Sequence, residues 1–275
     1  MMKKLTPWTF VRKLVGILRK GPRIPPTLAD NPLLQTILKR RSIRSFTKEA
    51  IPEDVWLAIL EAGRVAPSTV NLQTWTFITF TSDQWRHTFD RPVPFGGVRA
   101  VIICGDIDRN RKVIDSFPGS PLVEYTVAVM NASLAAMNMN IAAEALGICS
   151  VMLSETGQSG FFHAKYLTET LSLPPGVFPL MTIVFGYAKI PLAPMPPRLP
   201  LDQICAPAKY PGGDQRALEN WLLEMKTGFK AARPMWSFEG QLRYYGDNIL
   251  RAEEELRALI YHQQPDTQPE ALGET

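Results

Sequence analysis

The run Tyr125 to Ala143 holds 19 residues without one charged side chain. No other stretch constrains the fold as strongly. It is rich in alanine and methionine, and Gly147 stands just beyond it. The spacing predicts a helix over 122–146. Its length alone would suit a membrane span. Asn131, Asn138 and Asn140 lie inside it, no positive charge flanks it, and the chain offers no second candidate span. A helix buried at the centre of a globular protein is the expectation.

Shorter elements can be read around it. Asn31-Pro32 is a cap and first turn, and Leu33, Leu34, Ile37 and Leu38 give the helix that follows an apolar face. A second helix opens at Pro52-Glu53-Asp54, with Val55, Ile59 and Ala62 as its buried stripe and Gly63 as its end. Residues 76–80 alternate like a strand. Apolar strands are expected at 99–104, 148–153 and 179–187, with 106–121 as a loop and a helix running to about Leu171. Helices are expected over 214–232 and 238–262, with a disordered tail after Gln263.

Charge is unevenly placed. Lys3, Lys4, Arg12, Lys13, Arg19, Lys20 and Arg23 fall in the first 23 residues, with no acid among them. These seven cations exceed the net charge of +4, so the rest of the chain is mildly acidic. That argues against binding nucleic acid with the whole surface. Apolar residues recur at helical spacing between Trp8 and Leu18. Two readings fit this segment. It is an arm packed on the body or on a partner subunit, or a helix making peripheral membrane contact through residues 1–23. Cys104, Cys149 and Cys205 form no CxxC pair, and His87, His163 and His262 form no zinc motif. A reduced, cytoplasmic protein with no metal site is expected.

Two polar segments bear chemistry. Residues 40–44 read Arg40-Arg41-Ser42-Ile43-Arg44. Guanidinium forks match phosphate oxygens, and a serine hydroxyl adds a donor. A solvated basic run at a helix end is the plainer reading. The second segment runs from Ala66-Pro67-Ser68 through Asn71 and Gln73 to Trp75, just ahead of a strand. Its amides offer both donors and acceptors, as the edge of a flat heterocycle requires. They could equally bond the turn's own backbone. After the strand at 148–153, a small-residue turn from Ser154 to Gly157 would expose backbone N–H groups.

Four motifs in order resemble the FMN-dependent nitroreductase family. Arg40-Arg41-Ser42-Ile43-Arg44-Ser45-Phe46 is similar to its RRSxRxF segment. Ala66-Pro67-Ser68 to Trp75 is similar to its APSxxNxQPW loop. Ala143-Glu144-Ala145-Leu146-Gly147 is similar to its AEALG helix end, and Gly186-Tyr187 with Arg198-Leu199-Pro200 to its closing segment. The match covers about residues 31–207. Thr74 stands where the family has proline, Pro196 where many members have lysine, and the turn Leu153-Ser154-Glu155-Thr156-Gly157 lacks the usual nearby Gly or Pro-x-Glu-Gly.

The resemblance implies an α+β fold, a central mixed or antiparallel sheet flanked by helices; the N-terminal arm and C-terminal helices fall outside the match and are read as additions to it. Three regions follow: an arm and linker at 1–30, an FMN-binding domain at 31–210 and a helical extension at 211–275. It implies a homodimer with FMN where the subunits meet, NADH or NADPH as electron donor, and a small aromatic acceptor such as a nitroaromatic or quinone. By that resemblance Arg40, Ser42 and Arg198 hold the phosphate, with Arg41 adjacent. Arg44 lies near the flavin N1–O2 edge as electrostatic support. Asn71, with Gln73 beside it, bonds the pyrimidine edge. Pro67 and Ser68 reach the flavin of the other subunit, and Met152, Leu153 and Ser154 lie over the ring. The implied reaction is ping-pong hydride transfer with no protein acid or base. Reductive dehalogenation or dehydrogenation on the same fold, and a membrane-docked scaffold without turnover, are the alternatives.

Overall fold

The computed structural model describes residues 6–22, 24–114, 119–154, 163–190 and 194–261. The calls made on Lys3, Lys4, Arg23, the Glu155–Gly157 part of the turn and the tail after Gln263 lie outside these residues. The chain forms two compact units. One comprises Asn31–Pro191 with Asn248–Thr275, the other Met1–Asp30 with Leu192–Asp247.

The larger unit is built on four strands: β1 (Trp75–Thr81), β2 (Arg99–Asp106), β3 (Cys149–Leu153) and β4 (Val177–Gly186). Their spatial order is β1-β2-β4-β3, and every neighbouring pair is antiparallel. The only parallel contact among the described residues is an isolated bridge between Ser42 and Ser150. Val101, Ile102 and Ile103 of β2 and Ile183, Val184 and Phe185 of β4 are fully buried, since both strands are central and covered on both faces. β4 starts at Val177, two residues earlier than expected. Pro179 is tolerated because the β2–β4 register shifts there, and a bulge needs no ladder donor.

Helix α1 (Pro7–Arg19) belongs to the smaller unit, and α2 (Pro32–Lys39), α3 (Glu53–Arg64), α4 (Ser82–Phe89) and α5 (Asp108–Arg111) to the larger. Then come α6 (Pro121–Ala145), α7 (Ala164–Thr170), α8 (Gln215–Ala232) and α9 (Phe238–Tyr261). The uncharged run is α6. Its Ala128, Ala132, Ala135, Ala136, Met139 and Ala143 are buried in the main core. Small side chains let its backbone approach the sheet closely, and Ala128 Cβ lies 3.0 Å from where a Cβ on Gly105 would stand. Gly147, at φ +78°, turns the chain out of the helix as only glycine does readily. Among the described residues, no helix is long and apolar enough to cross a membrane.

Three sequence readings need correction. The buried stripe of α3 is Trp56, Ile59 and Gly63, not Val55, Ile59 and Ala62. Trp56 wins the core position because its ring meets the edge of Phe185 at 5.5 Å. Gly63 does not end α3, which continues to Arg64; a Cβ there would overlap the Met139 side chain of α6. The expected loop 106–121 contains α5, and residues 82–89 form α4. A reciprocal capping box of Thr81 and Gln84 starts α4, and Trp85 and Phe89 pack against Phe80.

In the smaller unit, α1 packs on α8. Lys20 Nζ donates to both oxygens of Glu224 at 2.7 Å, and Lys13 Nζ bonds Asn220. Phe229 and Phe238 meet at 5.5 Å between ring centroids.

Candidate flavin-binding site

Helix α2 ends at Lys39, and Arg40 caps it in an extended conformation. The chain then runs along β3 and β4. Ile43 N donates to Ser150 O at 3.1 Å, Lys189 N to Ser45 O at 3.0 Å and Thr47 N to Tyr187 O at 2.8 Å. Gly186 leaves room for Phe46: a Cβ on it would come within 3.1 Å of the Phe46 side chain. Ile43 and Phe46 are buried and anchor the segment. In extended backbone, neighbours of an inward residue face outward. Ser42 and Arg44 therefore face away from the Ile43 side chain, and Arg44 is exposed.

Arg41 is tied back. Its Nη1 donates to the carbonyls of Leu38 and Arg40, both at 2.8 Å. Its buried Nε has no partner in the protein. Glu144, near the end of α6, faces Arg40 and Arg41. Burial pushes its carboxyl above the ordinary range, and the two guanidiniums pull it back.

The second segment is a strained loop. Val70, Asn71 and Gln73 all have positive φ, between 49° and 56°, without being glycine. Such backbone costs free energy and persists where its surroundings enforce it. Asn131 of α6 is the enforcing residue. Its Oδ1 accepts from Thr69 N at 3.0 Å and Thr69 Oγ1 at 3.2 Å, and its Nδ2 donates to Thr74 Oγ1 at 2.8 Å. Ser68 Oγ accepts from Gln73 N at 3.0 Å, Asn110 Nδ2 donates to Leu72 O at 3.1 Å, and Arg109 donates to Trp75 O. Asp106 holds Arg109 at 2.9 Å. With its backbone fixed, the loop leaves Pro67, Asn71 and Gln73 exposed.

Sequence reading missed Asn131, Asn110, Arg109 and Glu144 as supports of these segments. Asn131 gave a signal as one of three amides inside an apolar helix, and Glu144 as part of the AEALG segment; Asn110 and Arg109 gave none.

Helix α6 orders the predicted residues. Met152, Leu153 and Ser154 share a groove of ≈ 490 Å³ with its Tyr125, Val129 and Met130. The loop meets it at Asn131, and Arg40 and Arg41 meet it at Glu144. Asn131 and Glu144 are roughly 20 Å apart along the axis. Gln73 opens instead on a groove of ≈ 870 Å³ beside Leu57, Glu61 and Arg64 of α3. Segment 40–41 and loop 69–74 thus meet α6 at separate points along its length. Arg198 is exposed and belongs to the smaller unit.

The donor set fits FMN. Arg40, Ser42 and Arg44 supply two guanidiniums and a hydroxyl for phosphate and flavin carbonyl oxygens. The rigid loop supplies amides suited to a heterocycle edge.

The sequence model of the nitroreductase family matches residues 37–94 and 95–187. The chain is 26% identical over 196 residues to the FMN reductase [NAD(P)H] of Bacillus subtilis, covering 67% of this chain and 77% of that protein. It is 26% identical over 221 residues to the oxygen-insensitive NADPH nitroreductase of Salmonella typhimurium, covering 75% and 88%. Its fold is similar to that of B. megaterium NfrA2, with a TM-score of 0.71 at 23% identity, over 85% of this chain and 97% of that one. With the family model spanning more than half of the sequence, this chain belongs to the nitroreductase family.

Proposed function

We propose that this protein is an FMN-dependent oxidoreductase that takes electrons from NADH or NADPH and delivers them to a small aromatic acceptor, a nitroaromatic or a quinone. Relatives named as FMN reductase and NADPH nitroreductase support the cofactor and the donor. The observation that carries the reading is the core-anchored segment 40–46, which sets Ser42 and Arg44 outward beside Arg40. Bound FMN supplies the redox chemistry, accepting a hydride and returning electrons to the acceptor.

The residues of the chain bind and orient. Arg40 and Ser42 hold the phosphate, with Arg41 bracing the turn. Arg44 stabilises the negative charge that reduction builds at the N1–O2 edge. Asn71 and Gln73 bond the pyrimidine edge, and Pro67 and Ser68 border the partner's flavin. Backbone from Met152 to Ser154 covers the ring. No side chain has to act as acid or base.

A homodimer completes the site in this reading. It is supported by α6, whose Val123, Met130, Leu134 and Met137 share one outward face and are 38–63% exposed. A second copy would cover that face and bring loop 66–74 of one chain toward segment 40–46 of the other. Donor and acceptor would use the same pocket in turn.

FMN titration tests the reading. Arg40→Ala and Ser42→Ala are each expected to weaken FMN binding, the arginine change by about tenfold or more. Unchanged affinity in both variants would overturn the assignment of this segment.

A further inference from the structure

Helix α1 plays no part in the proposed chemistry, yet its two sides differ sharply. Thr6 caps it, with its hydroxyl accepting from Thr9 N at 3.3 Å, and Pro7 fills the first turn. One side faces α8. Ile17 is buried there, 4.0 Å from the Cβ position of Gly228. Lys13 and Lys20 both turn toward Glu224, at 3.7 and 2.7 Å. These contacts fix which face of α1 looks outward.

The outward face is apolar. Trp8 is 76% exposed, Val11 51%, Val15 41% and Leu18 61%. At 100° per residue these four span an arc of about 80°. Arg12 and Arg19 are exposed, and the same spacing sets them along one edge of the stripe. The sequence from Met1 to Ala29 has seven cations and no acid.

We propose that this face of α1 docks on an anionic phospholipid surface, lying in the interface plane. The chemistry is complementary at each point. Val11, Val15 and Leu18 enter the boundary of the acyl region, Trp8 sits at headgroup depth, and Arg12 and Arg19 meet lipid phosphates. Thirteen helical residues extend about 20 Å, which suits lying on a bilayer rather than crossing it. A second copy is the weaker occupant. A two-fold contact through this stripe would bring Arg12 and Arg19 toward their own counterparts, a like-charge approach that disfavours it.

The test is cosedimentation of the full chain with phosphatidylcholine vesicles, with and without phosphatidylglycerol, at low and high salt. Wild type is expected to pellet only with the anionic vesicles, and less at high salt. Arg12→Gln/Arg19→Gln is expected to lower the partition about tenfold or more. Val11→Glu/Val15→Glu is expected to abolish it while leaving circular dichroism, FMN content and NAD(P)H oxidation unchanged. A Trp8→Phe variant is expected to lose the quenching that brominated lipid causes in wild type. Equal, negligible pelleting of wild type with both vesicle types would overturn the proposal. So would full pelleting of Val11→Glu/Val15→Glu. If wild type ignores vesicles and the double valine variant has half its mass in solution, the stripe is a subunit contact and the proposal falls.

Discussion

The amide of Asn131 donates to the hydroxyl of Thr74 across 2.8 Å, and both residues are almost wholly buried. Thr74 stands where the resembling motif has proline. A hydroxyl and a helix amide here hold the chain as it enters β1. Because the same Asn131 also accepts from Thr69, one side chain pins both ends of the strained stretch. Asn131→Leu would leave Thr69 N and the Thr74 hydroxyl unpaired, at a cost of about 1–3 kcal/mol for each group left buried. Urea unfolding is expected to register that loss, and FMN titration a weaker affinity. Thr74→Val should cost less, and the double variant less than the sum of the two. Strict additivity would mean that the pair does not couple.

The Met139 side chain of α6 fills the space that Gly63 of α3 leaves open. Gly63→Val is expected to cost about 1–3 kcal/mol through overpacking. Shortening the opposing chain in Gly63→Val/Met139→Ala should recover part of it. Denaturant midpoints read both; no recovery would show that strain in α3 itself, not the contact, sets the cost.

Leu134→Glu puts a charge in the outward stripe of α6 without touching the core. Light scattering is expected to give a monomer and FMN titration a weaker site, with the helix content unchanged. A dimer with full flavin affinity would move the subunit contact to another face.

Burial drives the His163 imidazole below its ordinary value of 6.5, with Arg251 and Arg91 adding to the effect and Glu255 opposing it. The folded state therefore binds a proton less readily than the unfolded state. The stabilisation is complete above 6.5 and is lost as pH falls through the lower folded value. Melting temperatures between about pH 8 and about pH 5 should fall more steeply for wild type than for His163→Asn. Parallel curves would remove His163 from the acid response.

Much of the fold was legible where one force dominated. The run 125–143 had no charge to place outside, so a central helix followed, and apolar strands stood out between glycine and proline turns. Segment 66–75 declared itself through its proline, serine and amides. Less was legible where tertiary contact decided. Trp56 took the buried position on α3 because Phe185 lies opposite, which periodicity alone does not reveal. Gly63 read as a helix end because a glycine needed for close packing has the same appearance in sequence. The loop supports Asn110, Arg109 and Asn131 come from distant segments and are joined only by the fold.

The central claim is a bound flavin reduced by a nicotinamide. Its most direct test is the visible spectrum of the purified protein, followed by anaerobic titration with NADH and then NADPH. The account predicts a yellow protein that at least one nucleotide bleaches, and slower bleaching in Arg44→Ala. A colourless protein that FMN cannot reconstitute would contradict it, and segment 40–46 would then be only a basic cap on α2.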